Sequence, residues 1–220
     1  RLRLNKTINL KKIDDIIIAT SVRPENAIIE KYCNEIGVNC FRGDEDDVLG
    51  RTLGALKYME ADLGVEVFGD CPLIDPEIID FIITEYQENY YDYDFVGNDL
   101  KTTFPPGMEV EVFRVAALET AALATLDPKV REHGTLAIRN SPDIYRVKNI
   151  RAPKIWNRPE LELEVDTEED MYVIEQILKH FMVLGKDDYG LTDIIQCLDK
   201  EPNIKKYNQD IIRQWKQYRN

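Results

Sequence analysis

Asp70 and Asp166 each follow directly on a short run of apolar, strand-forming residues. Asp70 closes Val65-Glu66-Val67-Phe68-Gly69-Asp70, where Gly69 frees the backbone to turn and Pro72 forbids a continuing ladder. A carboxylate just beyond the carboxyl end of a central strand lies where open α/β sheets bind their ligands. Two such carboxylates on neighbouring strands can share one Mg²⁺, which takes one or two carboxylates and leaves its other positions to water and phosphate oxygens. An ion held this way offsets triphosphate charge and draws electron density from a phosphorus under attack. Each residue also has a plainer use, Asp70 as a turn former and Asp166 as a helix N-cap. What sets them apart is that they form a pair.

Other candidates are more isolated. Arg42 and Arg51 flank the acidic loop 44–47 and can reach a phosphate, or can simply pair with the loop. His133, in Arg131-Glu132-His133, can contact a substrate or serve as a hydrogen-bonded helix residue. Asp92-Tyr93-Asp94 spells the DxD by which metal-dependent glycosyltransferases hold an ion, but it opens a strand instead of closing one and reads as a solvated turn. No Ser or Cys is paired with a well-placed base, so no nucleophilic triad is expected.

The elements that must position these residues alternate. Strands are expected at 15–21, 38–41, 65–68 and 93–96, with helices at 24–36, 48–61 and 76–90, the last opening on N-cap Asp75 and Pro76. Strands alternating with helices at this spacing imply βαβ units and a largely parallel sheet. The pattern then changes. The rigid loop Thr103-Phe104-Pro105-Pro106-Gly107 leads into a strand at 108–113 carrying Glu109 and Glu111, followed by helices at 115–126 and 129–139. Strands are expected at 145–150 and 161–165, then helices to 182 and over 191–200, and residues 1–12 read as the tail of a helix. The main domain is assigned to 1–182 and a helical extension to 183–220. Trp156, in an arm at 150–160, and Trp215 suggest the contacts of a homodimer.

Bulk properties narrow the class. The 220 residues can bury a sizeable core, and a net charge of −13 argues against a nucleic-acid partner, which needs a basic face. No apolar run approaches a membrane span. Cys33, Cys40, Cys71 and Cys197 lack metal-site spacing and read as the reduced thiols of a cytoplasmic protein.

Six stretches together resemble the cytidylyltransferases grouped with spore coat polysaccharide biosynthesis protein F, relatives of the acylneuraminate cytidylyltransferases. They are Ile18-Ala19-Thr20-Ser21, Cys40 to Arg51, Gly69-Asp70-Cys71-Pro72-Leu73-Ile74-Asp75-Pro76, Gly107 to Phe113, Arg131-Glu132-His133, and Val165 to Asp170, in the family's order. The C-terminal 191–195 and 201–208 also look like an extension that some members carry.

The resemblance implies an α/β, Rossmann-like nucleotidyltransferase fold with a mostly parallel mixed sheet. It also implies Mg²⁺ as cofactor, CTP as donor, and CMP transfer to an acidic sugar or related acceptor for surface glycan synthesis. By the same resemblance Asp70 and Asp166 are the metal ligands and Thr20, Ser21 and Arg51 lie on the nucleotide side. Glu109, Glu111, Arg131 and His133 lie on the acceptor side. Family members open with a strand and a Gly- and Arg-rich loop, ending in Pro-Gly-Lys, that wraps the triphosphate; here Arg1 falls inside the helix that should follow. With that segment restored the protein is expected to be an enzyme, whereas the chain as written is expected to be poorly stable and to turn over little CTP. A non-catalytic binding or regulatory relative is the alternative expectation.

Overall fold

The computed structural model describes residues 12–90 and 92–213. Strand β1 (Ile17–Ser21) and strand β2 (Asn39–Gly43) pair in parallel, joined by a short 3-10 turn and helix α1 (Ala27–Ile36). Helix α2 (Val48–Tyr58) follows, capped by the Asp47 carboxylate accepting from Gly50 N. Strand β3 (Leu63–Glu66) and helix α3 (Pro76–Glu88) lead to β4 (Phe95–Gly97). Next come β5 (Glu111–Arg114), α4 (Val115–Ala124), α5 (Pro128–Arg131), α6 (Leu136–Arg139) and β6 (Val147–Asn149). Helices α7 (Glu168–Val183), α8 (Leu191–Lys200) and α9 (Pro202–Lys205) complete the described chain.

The remaining strands form a second sheet in the order β3-β5-β4-β6, in which β5 is inserted antiparallel to both β3 and β4, and only β4 and β6 run parallel. The architecture is therefore mixed α/β and less parallel than the βα spacing implies. Side chains alternate across a strand, and the sheet uses both faces. Val96 and Val112 join one cluster with Ile78, Ile82, Ile174 and Ile194, while Phe95 and Phe113 join another with Leu49, Leu118 and Ile138. Helices α3, α7 and α8 thus cover one face and α2, α4 and α6 the other. Helix α8, beyond residue 183, packs into the same core as α3 and α7.

Three segments depart from the sequence reading. The helix expected over 129–139 is two single turns, because at 132–135 the chain bends to bring Gly134 against the Glu66 carboxylate, where a Cβ would sit 2.6 Å from Oε2. Residues 161–165 run without regular ladder pairing, held by Leu163 N donating to Pro106 O at 2.8 Å and Val165 N donating to Asp70 O at 2.9 Å. Trp156 is half-buried against Phe81 and Phe104 and donates to Thr192 Oγ1 at 3.1 Å, so part of its indole packs on its own chain. The N-terminal helix expected over 1–12 lies almost wholly outside the described residues, and Trp215 lies outside them. Among the described residues no helix is long and apolar enough to cross a membrane.

Gly107 fixes the approach of the 161–165 segment. Its φ is +96°, and a Cβ there would stand 2.5 Å from the Leu163 carbonyl carbon. Both the backbone conformation and the contact demand glycine. Gly107→Ala should lower stability by about 2–4 kcal/mol, read as a reduced urea midpoint with an unchanged slope; a midpoint equal to wild type would contradict the assigned geometry.

Candidate active site

Asp70 lies in the turn that follows β3, and Asp166 sits at the end of the 161–165 segment. The Val165 N to Asp70 O bond joins the two segments, and one carboxylate oxygen from each of Asp70, Glu164 and Asp166 lies within 4.8 Å of the other two. Glu164 is buried and Asp166 exposed, so the cluster has a floor and an open side. Neither aspartate caps a helix. Asp75 caps α3, accepting from Glu77 N at 3.0 Å, and its other oxygen accepts from Leu191 N at the start of α8. Thr167 caps α7 in a reciprocal box with Asp170, which leaves the Asp166 side chain, one residue earlier, free for other work.

The Asp170 carboxylate accepts from Asp166 N at 3.1 Å and Thr167 N at 2.9 Å, which fixes the backbone that carries Asp166. Burial pushes the Asp170 carboxyl up, but hydrogen bonds from Arg213, Asn208 and Thr167 overcome this and hold it at about 2. The buried Cys71 thiol has Asp70 Oδ1 at 3.5 Å and Glu109 Oε2 at 3.7 Å as acceptors for its one proton. Burial and the charges of Glu109, Asp70 and Glu164 push this thiol far up, so it stays neutral.

The oxygen donor set fits a hard divalent cation. Donors around one octahedral Mg²⁺ stand about 3–4 Å apart, so three carboxylates within 4.8 Å need only small side-chain rotations to converge.

A second polar cluster lies on the sheet face covered by α2, α4 and α6. Glu66 and Glu111 are directly opposed in the β3–β5 ladder, an arrangement that is repulsive when both are ionised. Arg139 bridges Glu111 at 2.9 Å and Asp99 at 2.7 Å, and Thr135 Oγ1 donates to Glu111. Thr52 donates to Glu66 Oε1 at 3.3 Å, while Glu66 Oε2 is buried without a hydrogen bond. Burial, opposed by Thr52, Arg139 and Arg51, pushes the Glu66 carboxyl up to about 7; burial and the Asp99 charge push Glu111 well up too.

Comparison with known proteins identifies the family of the chain. A family model described as cytidylyltransferase matches residues 2–210. The chain belongs to the cytidylyltransferase family. It is 37% identical over 209 residues to an uncharacterized protein of Methanocaldococcus jannaschii, covering 95% of this chain and 82% of that one. It is 31% identical over 195 residues to the spore coat polysaccharide biosynthesis protein SpsF of Bacillus subtilis, covering 88% and 78%. Among solved structures it resembles a cytidylyltransferase from Leptospira borgpetersenii, with a TM-score of 0.87, 25% identity, and 96% and 87% of the two chains covered. The fold is also shared, at TM-score 0.56 and 11% identity, with a CMP:2-keto-3-deoxy-manno-octonic acid synthetase complexed with CTP, over 80% and 85% of the chains.

Within this member of the family the other residues singled out from sequence have varied surroundings. Thr20 and Ser21 are buried at the end of β1, where Ser21 Oγ accepts from Asn26 Nδ2 at 2.6 Å. Arg51 donates to Glu45 O at 2.9 Å and so ties down the 44–47 loop, whereas Arg42 donates to Ser21 O and Arg23 O and pairs with Glu30 at 3.1 Å, holding the turn after β1. Glu109 is buried, accepting from Gly107 N at 2.7 Å; through Cys71 it adjoins Asp70. Arg131 anchors Asp47 at 2.7 Å and the carbonyls of Ala122 and Thr125. His133 is exposed in the bend after α5 instead of on a continuous helix. Asp94 is engaged by the Arg146 guanidinium at 2.9 and 3.1 Å, which accounts for half of the DxD.

Sequence reasoning missed Glu164, Glu66, Asp99, Asp170 and Arg213. The alternation Glu162, Glu164, Asp166 was the available signal for the first of these.

Because the folded chain holds a proton on Glu66 that the unfolded chain releases, stability should fall as pH rises from the ordinary carboxyl value of 4.5 to about 7. Glu66→Gln should match wild type in thermal midpoint at pH 5 and exceed it at pH 8. Parallel pH profiles for the two proteins would contradict the assignment.

Proposed function

We propose that this cytidylyltransferase transfers CMP from CTP to an acidic sugar or related acceptor, with Mg²⁺ as cofactor and release of pyrophosphate. The observation that carries the reading is the convergence of Asp70, Glu164 and Asp166 from two chain segments. The names of the relatives support it: SpsF points to polysaccharide synthesis, and the shared fold of the CTP-bound synthetase points to a cytidine donor.

An acceptor oxygen attacks the α-phosphorus of CTP, the bond from that phosphorus to the β-bridging oxygen breaks, and the acceptor's proton passes to solvent. No protein nucleophile is required. Asp70, Glu164 and Asp166 would hold the cation, Glu164 from the buried floor and Asp166 from the open side. The bound ion supplies charge neutralisation for the phosphates and the departing pyrophosphate. Thr20, Ser21 and Arg51 border the nucleotide, and Glu109, Arg131 and His133 lie on the acceptor side, while Glu111, fully buried and held by Arg139 and Thr135, belongs to the packed sheet face and meets no acceptor. The backbone tie from Val165 to Asp70 keeps the carboxylates in place, so little reorganisation is needed when phosphate arrives.

Asp70→Asn and Asp166→Asn should each lower CTP-dependent pyrophosphate release, measured with Mg²⁺ across a panel of sugar acids, by at least about 100-fold. Circular dichroism should be unchanged. Both variants turning over CTP within a factor of about two of wild type would contradict the reading.

A further inference from the structure

The segment after α9 docks in an inverted manner. Asn208 and Arg213 are buried, while Gln209 and Asp210 are exposed and the apolar Ile212 is 92% exposed. Among the described residues of this segment the buried side chains are the polar Asn208 and Arg213, and they anchor it through a polar network. Asn208 Nδ2 donates to Asp170 Oδ1 at 2.7 Å and to Glu162 O at 3.1 Å. The Arg213 guanidinium forks onto Asp170, with Nη1 donating to Oδ2 at 2.6 Å and Nη2 to Oδ1. The same Nη1 stands 3.7 Å from Asp166 Oδ2, and Nε stands 3.7 Å from Glu162 Oε2.

We propose that Asn208 and Arg213 are positioning residues for the Asp166 carboxylate, clamping it through Asp170 and facing it with a fixed positive charge; this rests on the metal-site reading above. The chain of contacts is short. Arg213 and Asn208 orient Asp170, and Asp170 accepts from the backbone N–H groups of Asp166 and Thr167. The guanidinium is planar and rigid, so a bidentate grip transmits orientation better than a single charge does. Buried ion pairs are commonly no more stabilising than apolar residues of the same volume, so stability alone gives no reason for an arginine at this place. Orientation of a ligand does, and partners behind ligating carboxylates act in this way. The positive charge also offsets repulsion among Asp166, Asp170 and Glu162, which crowd one side of the site. Assembly of the site thus depends on docking of the C-terminal segment.

The test is calorimetric titration of MnCl₂ into the full chain, with thermal unfolding alongside. Arg213→Lys keeps the charge and loses the fork. The double variant Asp170→Asn/Arg213→Met removes both members of the fork at once, and so covers the case in which the single variant fails to fold. Each should weaken Mn²⁺ binding at least about 10-fold. The Mg²⁺ concentration giving half-maximal rate should rise similarly, with kcat recovered at saturating Mg²⁺, a split that simple loss of fold does not produce. Mn²⁺ affinity within twofold of wild type in the folded double variant would overturn the positioning role. Asp166→Asn separates the two claims: loss of Mn²⁺ binding in it supports the metal reading, and wild-type binding in it would overturn that reading and the positioning role together.

Discussion

Carboxylates crowded within 4.8 Å of one another repel, and something must hold them there. In this chain a backbone hydrogen bond, Val165 N to Asp70 O, joins the two segments, and the elements on either side reinforce it. Behind Asp70 stands α3, capped by Asp75, whose second oxygen also receives the first turn of α8. Behind Asp166 stands α7, whose cap is the neighbouring Thr167 and whose capping-box partner Asp170 grips the Asp166 backbone. Gly107 lets the 103–107 loop lie flush on Leu163, so the segment bearing Glu164 and Asp166 is fixed from the other side as well. The crowding therefore reflects several independent anchors converging on one place.

The same sheet carries its burden of negative charge in two ways. Along the 161–170 segment, Asp170 stays ionised because Arg213, Asn208 and Thr167 donate to it. Across the β3–β5 ladder, Glu66 and Glu111 face each other with Arg139 as the direct cationic partner of Glu111, and burial drives their carboxyls up instead. One region of the molecule keeps its charge and the other tends to shed it. The first has the accessible acid, Asp166, and the donor atoms a hard cation prefers; the second is packed between α2 and α6.

Much of the frame was legible because it is local. The apolar run ending in Gly69-Asp70, the Asp75-Pro76 helix start and the Thr-Glu-Glu-Asp opening of α7 each declare themselves within a few residues. The convergence of Asp70 and Asp166 is a long-range fact that the sequence could pose only as a condition on neighbouring strands. Glu164 was hidden because the 161–165 run reads as an apolar core strand, although its acidic residues alternate. The 129–139 helix was over-extended because nothing nearby announces that Gly134 must approach Glu66. Arg213 lies far along the chain from Asp170, and its role exists only in the folded contact.

The central claim, that the side chains of Asp70 and Asp166 share one divalent ion, is tested most directly by an anomalous difference map from crystals grown with Mn²⁺ and CTP. The account predicts one peak per chain at coordination distance, about 2.2 Å, from a carboxylate oxygen of each residue. A peak bound to neither residue would contradict it.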